Sequence, residues 1–441
     1  APHKNHPRAH NTGCAAGAPH TPPGGRPPHP PPHDTGRPEA TFLLPNYAQE
    51  ILPAAAEGPI IAILRRDYQI LALIVQEGHE APVCLEVGSA WGFDKTMKKY
   101  LLALDDVSSE TREQIVRETL EQFHPMFRAL PWYLFGNDFD PAAADGPPRV
   151  WWCPSGLLSM LPLHAATSFP HEGRDFVPGP EIKIARAYGA RDTWKPDASA
   201  RQRITGSSCL LDTMASSYTP TIRSLVWARE VRDAEPAADP AQDPRMMLVA
   251  SNSDSGLESL PGTQGVRTHL QKLLSPNRLT LLTGRDATVR RVTREFHHHD
   301  AAHFDCHSLR DPDDPWRSGL SLHDRPLTVE DLIERRVDRL DFAYLAACAT
   351  ALTDEQVPDE MITLTAALHY TGCPHVIGTL TPSTDRSTAR VTRSLYSSLV
   401  REDGLLDPTD CARLLHAAVG AERARMPDRP SAWSPFIHIG I

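Results

Sequence analysis

Beyond residue 245 the sequence alternates short apolar runs with segments of helical period, and this alternation constrains the fold more than any other feature. Residues 246–250, 279–282, 302–306, 342–347 and 375–380 read as strands. Residues 266–274, 289–296, 327–335 and 361–370 read as helices, the last opened by Asp359 and closed by Gly372. Further helices are expected near 386–400 and 408–425. A repeated β-α-β pattern with short apolar strands implies an α/β fold, a mainly parallel sheet with helices on both faces.

The earlier chain is less regular. Residues 59–64 and 70–75, separated by Arg65-Arg66-Asp67, read as two strands and a turn. Residues 109–130 carry Ile115, Val116, Leu120, Phe123 and Phe127 at helical spacing. Residues 150–153 form a strand ended by Pro154-Ser155-Gly156, and 234–244 read as a linker or exposed loop. Residues 1–40 hold eleven of the 42 prolines and six of the 21 histidines with almost no large apolar side chains. Such a segment cannot offset its ordering entropy by burial, so 1–46 is expected to be a disordered leader. A metal-binding histidine tract is the lesser reading of it. No repeat of 20–50 residues is apparent.

Composition narrows the function classes. A net charge of −10 with no basic stripe offers no footprint for nucleic acid. The apolar runs are too short to span a bilayer. The leader lacks the apolar core of a secretory signal, although the chain begins with Ala rather than Met. Eight scattered cysteines without a CxxC pair fit reduced thiols, and the cytoplasm is the expected compartment.

In parallel sheets, reactive groups gather beyond the carboxyl ends of the strands. One strand ends in Asp305-Cys306-His307-Ser308 and the next in Ala346-Ala347-Cys348. With the usual right-handed crossover, His307 and Cys348 emerge at one sheet edge. An imidazole beside a thiol can generate the thiolate and later protonate a leaving amine. The backbone N–H groups of Cys348 and Ser308 are candidates for an oxyanion hole. Asp305, two residues before His307, is a candidate to orient the imidazole, with a surface ion pair as the alternative. No metal or other cofactor is needed for this chemistry. A zinc site from His297-His298-His299, His303, Cys306 and His307 is a minor alternative, since the spacing matches no common signature.

A colinear series of motifs points further. Arg149-Val150-Trp151-Trp152-Cys153-Pro154-Ser155-Gly156-Leu157 runs into Leu161-Pro162-Leu163-His164-Ala165-Ala166, and Ser217-Tyr218-Thr219-Pro220-Thr221 follows. Then come His303–Ser308, Gly319-Leu320-Ser321-Leu322, Pro326-Leu327-Thr328, Ala347-Cys348-Ala349-Thr350, Gly378-Thr379-Leu380 and Trp433-Ser434-Pro435-Phe436 through Gly440. Over roughly residues 130–441 this series resembles the CHAT family of the caspase–separase clan, with wording similar to bacterial, actinomycete-type members. The resemblance implies a caspase-like three-layer α/β/α fold, with an inactive first half (47–200) before a catalytic second half (201–441). It also implies a cysteine endopeptidase in which Cys348 is the nucleophile and His307 the general base and acid.

Two positions depart from the family pattern: Ser308 stands where glycine is usual and Thr381 where tryptophan is. Ser308 keeps a backbone N–H but loses the ready access of glycine to positive φ. Asp385 matches a family aspartate; it either lines a pocket for a basic P1 side chain or, more plainly, caps the helix near 386–400. By the resemblance, the chain performs limited proteolysis of a protein substrate in signalling, defence or programmed death, triggered by a sensor or repeat-domain partner chain. The alternative is a pseudopeptidase that keeps the scaffold as a protein-binding module.

Overall fold

The computed structural model describes residues 47–106, 109–143, 146–169, 182–185, 191–206, 209–234, 244–250, 261–311, 313–335, 339–347, 350 and 363–441. The expected leader, nearly all of the 234–244 linker and Asp359 lie outside the described residues.

The first strands form a hairpin as the sequence implies. β1 (Ile60–Arg66) and β2 (Gln69–Val75) pair antiparallel around Asp67, whose φ of 51° is a left-handed conformation that aspartate tolerates. β3 (Val83–Ser89) adds to β2, and α1 (Phe93–Asp106) follows. The helix expected over 109–130 is α2 (Ser109–Phe127); it stops short because Pro131 lies in the first turn of a separate helix, α3 (Leu130–Phe135). β4 (Arg149–Pro154), β5 (Ile182–Ala185), β6 (Arg191–Trp194), α4 (Ala198–Gly206), β7 (Ala215–Tyr218) and α5 (Ile222–Ala234) come next.

The later chain alternates as read. Its elements are β8 (Met246–Ala250), α6 (Pro261–Leu273), β9 (Leu279–Thr283), α7 (Val289–Glu295), β10 (Ala301–Asp305), β11 (Ser308–Leu309), β12 (Gly319–Ser321), β13 (Pro326–Thr328) and α8 (Val329–Glu334). β14 (Phe342–Leu345), α9 (Leu364–Tyr370), β15 (His375–Thr379), α10 (Asp385–Leu399), α11 (Cys411–Arg425) and β16 (Phe436–Gly440) complete it. Two helix starts differ from expectation. Residues 326–328 pair as a strand, and the Thr328 hydroxyl and Asp331 carboxylate close a capping box that starts α8 at Val329. The cap of α9 is Thr363, whose hydroxyl accepts from the Ala366 N–H; the expected cap Asp359 lies outside the described residues.

Among the described residues one sheet holds thirteen strands in the order β6-β5-β3-β2-β1-β4-β7-β16-β15-β14-β10-β8-β9. Seven of its twelve pairings are parallel. The strands from β1 to β7 occupy one side and those from β8 onward the other, joined where β7 runs parallel to β16. β11–β12–β13 form a separate small sheet.

Both faces are covered. Ile60 and Trp151 pack with Leu225 and Ala228 of α5, whereas their neighbours Ile61 and Trp152 belong to the larger core on the other face. Strand alternation sends successive side chains to opposite layers, which makes three layers. The C-terminal strand is locked by shape: Gly440 has a φ of 133°, and a Cβ there would collide with the Pro374 carbonyl. The Trp151 indole N–H donates to the Gly440 carbonyl (2.7 Å), tying the two sides together.

Candidate active site

β10 pairs parallel with β14 in the register Phe304↔Leu345, and β14 pairs parallel with β15. The three carboxyl ends therefore lie side by side. The Ala346 N–H donates to the Phe304 carbonyl (2.9 Å), extending the β10–β14 ladder one residue beyond β14. A cavity of about 60 Å³ opens there, lined by Asp305, Cys306 and His307 after β10, Ala346 and Ala347 after β14, and Thr379 at the end of β15. Ser383, Asp385, Thr388, Ala389 and Thr392 from α10 and its approach, with Gly262 and Val266 of α6, close it.

His307 and Asp305 thus face one cavity. Cys348 lies outside the described residues, between Ala347 and Thr350, which are described. Both flanks are held by a residue that spacing did not single out. The Thr379 hydroxyl donates to the Ala347 carbonyl (2.8 Å), and its N–H donates to the Thr350 hydroxyl (3.2 Å). Thr379 is buried and ends β15, so the strand-end rule that selected His307 applies equally to it.

The backbone of His307 is fixed from the other side. The Ser321 N–H donates to the His307 carbonyl (2.8 Å), and Ser308 sits opposite Leu320. That bond makes Ser308–Leu320 a non-hydrogen-bonded pair, so the Ser308 N–H points away from β12. Ser308 lies in extended backbone, which serine adopts without strain; Asp67 is the one non-glycine residue at positive φ among the described residues. The position does not use the conformational freedom of glycine.

Cys306 also borders the cavity, but burial pushes its thiol well above the ordinary range and the adjacent Asp305 charge adds to this. It is held as a thiol. Behind the cavity, the Thr392 hydroxyl donates to the Tyr344 hydroxyl (3.0 Å), and His303 Nδ1 meets the Tyr396 hydroxyl (3.1 Å). Burial lowers the His303 pKa to about 3, so this ring is a neutral part of the core. His299 is likewise engaged, with the Glu295 carbonyl and the Thr280 hydroxyl. The histidines 297–303 and Cys306 therefore form no metal cluster with His307 among the described residues.

Asp385 does not cap its own helix. Thr384 does so through the Ser387 N–H, while Asp385 Oδ2 accepts from the Gly262 N–H (2.6 Å) in the first turn of α6. A Cβ on residue 262 would meet this carboxylate at 2.5 Å, so glycine permits the approach. The carboxylate borders the cavity. Thr381 is buried beside the end of β15.

The first half of the motif series also resolves into contacts. His164 Nδ1 meets the Tyr218 hydroxyl (2.9 Å), joining the Leu-Pro-Leu-His and Ser-Tyr motifs, and the Trp152 indole donates to Ser216 (3.0 Å). No helix among the described residues is long and apolar enough to cross a membrane.

Comparison with known proteins agrees with this architecture. The separase chain of the Saccharomyces cerevisiae separase–securin complex is similar over 89% of this chain at a TM-score of 0.50 and 10% identity. The chain spans 31% of that separase chain. The complex of pro- and mature domains of Porphyromonas gingivalis RgpB, a gingipain, is matched over 79% of this chain and 74% of its own, with a TM-score of 0.41 and 10% identity. No curated protein matches the sequence. The CHAT domain model matches residues 123–441, well over half of the sequence, with a caspase-like α/β sheet beneath it: the chain belongs to the CHAT-domain family.

Proposed function

We propose that the chain is a cysteine endopeptidase that cleaves protein substrates at a Cys348–His307 dyad. The observation that carries this reading is the parallel β10–β14 pairing, which brings His307 and Ala347, the residue before Cys348 in the sequence, to one cavity. His307 takes the Cys348 thiol proton, and the thiolate attacks the scissile carbonyl carbon. The Ser308 and Cys348 N–H groups stabilise the oxyanion, and its collapse expels the amine, which leaves with the proton from His307. Water then attacks the thioester, giving a proton to His307, and the carboxylic acid product departs as the thiol re-forms. Asp305 orients the imidazole from the same cavity wall. Asp385 selects a basic P1 side chain, because with Asp305 it is one of two carboxylates among the described lining residues.

The family membership supports a peptidase-related scaffold, and the separase neighbour is crystallised with securin, which makes a regulatory protein partner a natural expectation here. The test is a peptidyl electrophile and a peptide library offered to wild type and Cys348→Ala. Wild type is expected to be labelled at Cys348 faster than free cysteine and to cleave after Arg or Lys. Labelling no faster than free cysteine, with identical fragment patterns for both proteins, would leave the pseudopeptidase binding module as the correct reading. Cleavage without basic preference would remove Asp385 from the pocket alone.

A further inference from the structure

At the opposite end of β15 from the cavity, three metal-ligating side chains converge from three elements. His375 begins β15, His438 lies on β16 and Cys411 begins α11; all three are buried, and their ligand atoms lie within 4.8 Å of one another. His375 Nδ1 and His438 Nε2 are 3.2 Å apart. Two nitrogens bound tetrahedrally to zinc at roughly 2.0–2.1 Å are separated by about 3.3 Å, so the spacing is that of a ligand pair.

His369, at the end of α9, is also buried, and its Nδ1 meets the Cys373 carbonyl (3.1 Å), but it stands outside the group of three.

We propose that His375, His438 and Cys411 form a buried zinc site that clamps β16 to β15 and α11. Two imidazoles and one thiolate are a zinc-type donor set. Ser217, 2.9 Å from His438 Nδ1, supplies an outer-shell contact to that ring. Arg149 donates to Ser217 and lies 3.5 Å from His438 Nδ1, so its charge opposes a dication. The competing arrangement is a metal-free chain in which Ser217 donates to His438 and His438 donates to His375. In that state Cys411 is a bystander. Cys411 therefore discriminates between the two.

The site lies four strand residues, roughly 13 Å, from Thr379, so its test does not depend on peptidase activity. The full chain, purified without chelator and dialysed, is expected to retain about one zinc per chain, and Cys411→Ser and His438→Gln each to reduce this at least tenfold while circular dichroism is unchanged. Cobalt(II) substituted for zinc is expected to give a tetrahedral visible spectrum with a thiolate charge-transfer band that Cys411→Ser abolishes. A folded wild type that carries no zinc and gives no such cobalt spectrum would overturn the site, as would zinc retained equally by both variants. If a variant fails to fold, the wild-type cobalt spectrum alone decides.

Discussion

The two sides of the sheet are built from the same parts and differ at their carboxyl ends. Each has adjoining parallel strands, and each buries a histidine against a tyrosine hydroxyl: His164 on Tyr218 in one, His303 on Tyr396 in the other. Each also has a cysteine near a strand end. Cys153 lies within β4, and burial pushes its thiol to about 12, with the Pro220 carbonyl as its neighbour. On the second side Ala347 lines a cavity together with His307 and Asp305, and Thr379 bonds both Ala347 and Thr350. The environment of a cysteine near a strand end depends on what the adjacent strand ends bring to it. The first side spends its strand ends on packing; the second leaves space.

The sharpest way to break this contrast is kinetic. Cys348→Ala is expected to abolish cleavage and His307→Ala to slow it by about 10²–10⁴-fold, while Cys153→Ala leaves peptide turnover unchanged. Loss of turnover in Cys153→Ala at intact fold would place chemistry on the wrong side. Next comes the continuity of the sheet. Trp152→Ala is expected to cost about 3–5 kcal/mol and to shift unfolding of both sides together, followed by tryptophan fluorescence and amide hydrogen exchange. Separate transitions would mean that the sides are independent domains.

The matched histidines predict matched acid sensitivity. Burial lowers both His164 and His303 to about 3. Unfolded chains bind these protons below about pH 6.5 and the folded protein does not, so stability is full above that pH and is lost as pH falls toward 3. Urea midpoints measured from pH 7 to 4 should fall, and His164→Phe and His303→Phe should each flatten the decline. An unaltered slope in either variant removes that ring from the account.

A smaller effect is expected at Thr379. Thr379→Val leaves the Ala347 carbonyl without its donor, a loss of about 1–3 kcal/mol. Electrophile labelling of Cys348 should slow while its KM-type saturation is retained, and Thr379→Ser should restore the rate. Equal labelling in wild type and the valine variant would make the contact structural only. Smallest is the exposed Arg65–Asp94 pair on the first side, where Arg65→Ala is expected to change stability by less than about 1 kcal/mol in thermal unfolding.

Much of this was legible in the chain itself. The strands 246–250 and 375–380 read correctly because a strand buried on both faces must be apolar at nearly every position. β5 and β6 escaped notice because they are short, partly polar strands at one end of the sheet, with Arg191–Trp194 as its edge, and their alternation carries little signal. Helix starts moved by a few residues where Thr328 and Thr363 offered caps that the apolar period does not report.

The sequence by itself determined the α/β class, the family and the placement of His307 after a parallel strand, since these depend on local period and on motifs in order. Only the tertiary structure decided which strand ends adjoin. The neighbours β7 and β16, the Thr379 clamp, the Asp385 contact with Gly262 and the gathering of His375, Cys411 and His438 all join residues distant in the chain. Strand order and burial are properties of the closed sheet, and no window of sequence contains them.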